Sequence, residues 1–137
     1  MYDIIFPDMD KQEHINYWLK SAKHDLAAAE DLFKNKRYEW CLFLAHLVIE
    51  KTLKALWVRD NGNNIPPKIH NLLNLTESIN INLSDEQKIF LLNINDFNIE
   101  ARYPDYKFSF HKKCTRKFTT ETFNEIKAFY KWLLKQM

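Results

Sequence analysis

Residues 38–60, "YEWCLFLAHLVIEKTLKALWVRD", are apolar on nearly every side until Glu50 and Lys51. A helix at a protein surface carries one apolar stripe, whereas a helix that is apolar all round has to be enclosed by other elements. This segment therefore predicts the central, most buried helix of a bundle. Arg59 falls in its last turn and Gly62 just beyond it, and together they form a C-terminal stop.

Upstream, Ile15, Trp18, Leu19, Ala22, Leu26, Ala29 and Phe33 recur at three- and four-residue steps. That spacing puts them on one face of a long helix running from Asp10 to near Asn35. Downstream, "NGNNIPPK" (61–68) combines two prolines with an Asn-Gly pair and predicts a loop. A short third helix carries Ile69, Leu72, Leu73, Thr76 and Ile79 on its inner side. Ser84, with Gln87 three residues on, forms a capping box that opens a fourth helix with Phe90, Ile94, Phe97 and Ala101 facing inward. Because Pro104 disfavours helical geometry at Tyr103, that helix is expected to finish near Arg102. Thr119 or Thr120 caps a fifth helix whose apolar face is Phe123, Ile126, Tyr130 and Leu133.

Residues 103–117 are left as a long loop between the last two helices, whereas connections in bundles usually take about 2–8 residues. The expected fold is all-α, an antiparallel up-and-down bundle of four to five helices. It is read as a single domain over 1–137, with 1–9 as an N-terminal tail whose "YDIIFP" needs cover from this molecule or a second copy.

Composition agrees. A chain of 137 residues supports one ordinary core, and a single glycine argues against a β-sandwich or barrel, whose many turns need residues tolerant of positive φ. Only two cysteines occur, and Cys41 sits among apolar neighbours, which suits a reducing compartment. The N-terminus lacks a cationic, then apolar, secretory pattern, and no apolar run approaches the ~20 residues needed to cross a bilayer. A soluble, cytoplasmic protein with no membrane partner is expected. The formal net charge of +2 is unevenly spread, at −1 over 1–60, −3 over 61–106 and +6 over 107–137.

The basic end coincides with the long connection. Lys107, Lys112, Lys113, Arg116 and Lys117 are interleaved with Tyr103, Tyr106, Phe108 and Phe110. Cations neutralise phosphates while rings stack on unpaired bases, a combination suited to single-stranded RNA or a nucleotide. The alternative is a solvated basic edge whose rings anchor the loop. Arg102 and His111 add a chemical possibility, since arginine forks onto phosphate oxygens and histidine transfers protons near neutrality. Equally, Arg102 complements a helix dipole and His111 is an ordinary loop residue.

Other chemistries find little support. His14, His24, His46, His70 and His111 are scattered, and Cys41 with Cys114 forms no close ligand pair, so no metal site is expected. The sole glycine, Gly62, leaves no phosphate-binding glycine loop, and no cofactor is expected. His70 reads as structural, bonding a free backbone group or packing under the loop. The amphipathic "FYKWLLKQM" is explained by packing into the bundle.

Four pieces in order carry a family resemblance: Glu50-Lys51 with Leu53-Lys54-Ala55-Leu56, His70 followed by Leu72, and Arg102-Tyr103-Pro104-Asp105, set in helices from about Ile15 to Leu134. In these the chain resembles the HEPN domain family. The resemblance implies a helical bundle that usually pairs as a homodimer, often encoded beside a small nucleotidyltransferase as toxin and antitoxin. Asp105, in the last of these pieces, joins Tyr103 and Tyr106 among the candidates for the nucleotide or RNA surface. Glu50, Lys51 and Lys54 become candidates for a cleft or dimer edge, beside the local reading of a helical ion pair. Several HEPN branches are metal-independent ribonucleases using an arginine and a histidine four to six residues apart. Here Arg102 and His111 have eight residues between them, and His46-Leu47 stand where the family has a glutamine-rich stretch. Two readings follow: a non-catalytic dimeric module binding nucleotide, RNA or a partner protein, and a ribonuclease toxin using Arg102 and His111.

Overall fold

The computed structural model describes residues 9–69 and 71–137, with 104–107 described in their backbone alone. Residues 1–8 of the tail, His70, and the side chains of Asp105, Tyr106 and Lys107 lie outside the described residues. Among the described residues every regular element is a helix: α1 (Lys11–Lys34), α2 (Tyr38–Asp60), α3 (Leu72–Thr76), α4 (Asp85–Asn95), α5 (Phe97–Arg102), α6 (Pro104–Lys113) and α7 (Arg116–Lys135).

α1 opens on Asp10, whose side chain accepts the Glu13 N–H, and closes on Asn35. The turn into α2 is tight. Lys36 takes φ 60°, while its N–H reaches the Phe33 carbonyl and the Arg37 N–H reaches Leu32, so two free carbonyls at the end of α1 gain donors. α1 and α2 therefore lie antiparallel, and Lys11 Nζ donates to the Val58 and Asn61 carbonyls at the far end of α2. α4 starts beside Phe129 and Trp132 of α7 and ends beside Phe118 and Thr122, so these two are antiparallel as well. Arg59 donates to the Gln136 carbonyl and ties the C-terminal ends of α2 and α7 together. α1, α2, α4 and α7 thus alternate in direction, as an up-and-down bundle requires.

α2 lies at the centre. Cys41, Leu42, Ala45, Val48, Ile49, Leu53 and Leu56 are fully buried in one core with Leu72, Leu91, Ile94, Phe123, Ile126 and Leu133. Ile15, Trp18, Ala55 and Val58 form a second cluster where α1 crosses α2. Both follow from the all-round apolar character of α2, which gives each neighbouring helix a face to cover.

Four expectations need correction. The third helix is a single short turn: Leu72 and Leu75 are buried but Ile69 is exposed and lies ahead of it. The fourth divides at Asp96 into α4 and α5, though it opens on the capping box and ends at Arg102 as expected. The 103–117 segment is not a loop, because Pro104 starts α6. A proline that ends one helix is also well placed to begin another, since its φ is preset and its missing N–H would be unbonded in a first turn anyway. Finally, α7 begins four or five residues earlier than expected, with Thr115 as its cap accepting the Phe118 N–H, while Thr119 is buried within the helix.

Candidate functional site

Arg102 ends α5, a position where a cation complements the helix dipole, and its guanidinium lies 5.2 Å from the centre of the Phe43 ring. His111 lies in the last turn of α6, with Nδ1 3.2 Å from Oε2 of Glu39. Glu39 and Phe43 are four residues apart on α2, on successive turns of one face. The two groups that the sequence pairs thus rest on one stripe of α2, although most of α6 separates them in the chain. His111 keeps 64% of its side chain exposed, while Glu39 beneath it keeps 15%.

The segment that carries both groups is cationic and aromatic. Tyr103 and Phe108 are 56% and 66% exposed, and Lys112 Nζ sits 4.6 Å from the Phe108 ring centre. Arg116 and Lys117 open α7, which has no acid in its first turn. Cations there are disfavoured by the helix dipole, so they add nothing to the helix and leave its N-terminal end attractive to an anion.

The structure divides the basic cluster. Lys113 turns the other way, 5.3 Å from the Phe118 ring centre and 6.0 Å from that of Phe97. It lines a groove of about 430 Å³ between α5 and α6 together with Asp96, Ile99, Glu100 and Ser109. Two carboxylates make that groove unsuited to phosphate. Glu50, Lys51 and Lys54 are not at an edge either. All three are at most 3% exposed, with Lys54 3.5 Å from Glu50 and 5.0 Å from the Trp18 ring centre, and Lys51 2.7 Å from Asp25. They belong to the α1–α2 contact because α1 crosses α2 over that stretch and offers an acid and an indole to the two ammonium groups.

Cys114 follows α6 and is buried, as is Cys41 on α2. Burial pushes both thiols up to about 12, the Glu39 charge adding to the effect at Cys114. Neither is a nucleophile at neutral pH. Among the described residues no group of three or more His, Cys, Asp or Glu is placed to hold a metal, and no helix is long and apolar enough to cross a membrane.

Glu39 and Phe43 were not visible as site residues in the sequence. Glu39 reads as an acid favouring the first turn of α2, and Phe43 as one more apolar residue of a buried helix. No linear signal links them to residues some sixty to seventy positions later.

The model of the HEPN domain matches residues 15–137. The fold is similar to that in the crystal structure of TT1696 from Thermus thermophilus, with a TM-score of 0.77, 19% sequence identity, and 90% of this chain and 98% of that one covered. No curated protein matches the chain.

Proposed function

The chain belongs to the HEPN domain family, and from that premise we propose that it is a single-domain, homodimeric module that binds single-stranded RNA or a nucleotide through the α5–α6 face. We place it beside a nucleotidyltransferase partner in a two-component, toxin–antitoxin-like system. The supporting observation is the seating of Arg102 and His111 on one stripe of α2, with exposed Tyr103, Phe108 and Lys112 on the same 102–112 segment and Arg116 and Lys117 at the start of α7. Guanidinium and ammonium groups meet phosphate oxygens, and the two exposed rings stack on unpaired bases. Tyr106, Lys107 and Asp105 belong to the same segment. Exposed Tyr103 and Phe108, with exposed Ile99 in the neighbouring groove, supply apolar surface for a second copy, and two copies bring two arginines to one cleft.

A second reading is metal-independent RNA cleavage, favoured by the seating of Arg102 and His111 on successive turns of α2. In it His111 takes the proton of a ribose 2′-hydroxyl as the oxygen attacks phosphorus. Arg102 steadies the charge on the phosphoryl oxygens, and the departing 5′-oxygen takes a proton from water, leaving a 2′,3′-cyclic phosphate.

One experiment separates the readings: purified protein with single-stranded RNA in chelator, alongside Arg102→Ala and His111→Ala. Salt-sensitive binding of intact RNA supports the module. Cleavage abolished by both substitutions supports the ribonuclease, and neither binding nor cleavage sinks both.

A further inference from the structure

The Glu39–His111 contact crosses from the first turn of α2 to the last turn of α6. We propose that Glu39 is a positioning residue: its carboxylate accepts the Nδ1–H of His111 and so holds the neutral imidazole with Nε2 on the outer edge as a proton acceptor.

A carboxylate only accepts, so the nitrogen facing it carries the hydrogen. A neutral imidazole has one such hydrogen, and fixing it on Nδ1 leaves the lone pair on Nε2. The burial pattern fits: Glu39 is 15% exposed and anchored on the best-packed helix, whereas His111 is 64% exposed on a short one. The acid is the fixed partner and the ring the positioned one. The same contact bears on the rest of the site, since Glu39 stands one turn before Phe43, the ring under Arg102. Setting Nε2 outward leaves the acceptor free for a ribose hydroxyl whose phosphate Arg102 would hold. Glu39 does not itself meet the phosphate. Its negative charge would repel one, and that separates a positioning role from a binding role.

The inference rests on the ribonuclease reading for its use but not for its test. Two-bond proton–nitrogen NMR of the full chain at mildly alkaline pH reports which ring nitrogen carries hydrogen. In the natural protein His111 is expected to show Nδ1–H with a bare Nε2. Glu39→Leu is expected to shift it to mainly Nε2–H, the form a free imidazole side chain prefers, with the signals of the other histidines unmoved as the check on folding. A bare Nδ1 in the natural protein, or an unchanged pattern in Glu39→Leu, overturns the proposal. Failure of RNA cleavage removes the ribonuclease reading and leaves this result standing. Where RNA is cleaved, Glu39→Leu is expected to lower kcat by roughly 10–100-fold while binding tightens, because a repelling charge is gone. Weaker binding with unchanged kcat overturns the positioning role.

Discussion

Lys51 and Asp25 meet at 2.7 Å inside the α1–α2 contact, with only 3% and 5% of their side chains exposed, and the same ammonium reaches the Ser21 hydroxyl at 2.8 Å. Charges are costly to bury, so such a pair is far more sensitive to loss of one member than to loss of both. Lys51→Met is expected to destabilise the protein by about 3–5 kcal/mol by leaving a buried carboxylate with no compensating charge. The double substitution Lys51→Met with Asp25→Leu is expected to recover much of that loss. Urea denaturation of the natural protein and the two variants measures it, and a double variant as unstable as the single one would contradict the pairing.

Lys36 holds φ 60° in the turn between α1 and α2, where a side chain crowds the backbone and glycine does not. Lys36→Gly is therefore expected to stabilise by roughly 0.5–1 kcal/mol, an unusual sign for a glycine substitution. A fall in the denaturation midpoint would show that the lysine side chain makes a contribution larger than its strain.

Asp60 accepts from Arg59 at 2.7 and 2.9 Å and from the Asn80 N–H at 2.8 Å. The Arg59 hydrogen bonds hold its carboxyl below the usual range; burial opposes them, and the Asn80 N–H and the Arg59 charge add smaller effects in the lowering direction. A depressed carboxylate stabilises the fold above its unfolded pKa, and that contribution is lost as pH falls through the lower folded value. Asp60→Asn is thus expected to flatten the acid limb of a stability–pH curve. The effect at neutral pH is expected to stay below about 1 kcal/mol because the pair is near the surface.

Cys41 and Cys114, both buried with thiols pushed up to about 12, are expected to resist alkylation in the native protein at mildly alkaline pH and to react fully in denaturant. Mass spectrometry after iodoacetamide treatment reads the difference. Rapid native labelling of Cys114 would mean that the α6–α7 junction opens readily.

Arg102→Ala is expected to leave the unfolding midpoint nearly unchanged, because the guanidinium lies on an outer ring contact at the end of a short helix. Under the proposed function it weakens single-stranded RNA binding and lowers the salt slope by about one unit, whereas Lys113→Ala, facing the acidic groove, changes the slope little. Binding isotherms at several salt concentrations distinguish the two, and equal losses would show that the divided surface acts as one.

The extent of α1 and α2, the capping box at Ser84 and the inward faces of α4, α5 and α7 were legible in the sequence, because helical periodicity and capping are local and involve residues a few positions apart. So was membership of the HEPN family. The helical state of 104–113 was not, since a proline followed by cations carries the same local signs whether it stops one helix or starts the next. Packing of Phe110 into the core decided that, and it made a helix where a loop was expected. Nor could the sequence place its charges. Lys51 and Lys54 were candidates for a cleft or dimer edge and are enclosed by α1, while Lys112 and Lys113 are neighbours in the chain yet face an aromatic surface and an acidic groove. The pairing of Glu39 with His111 and of Phe43 with Arg102 joins residues 72 and 59 positions apart. Such contacts depend on how helices cross, a property of the assembled core rather than of any stretch within it.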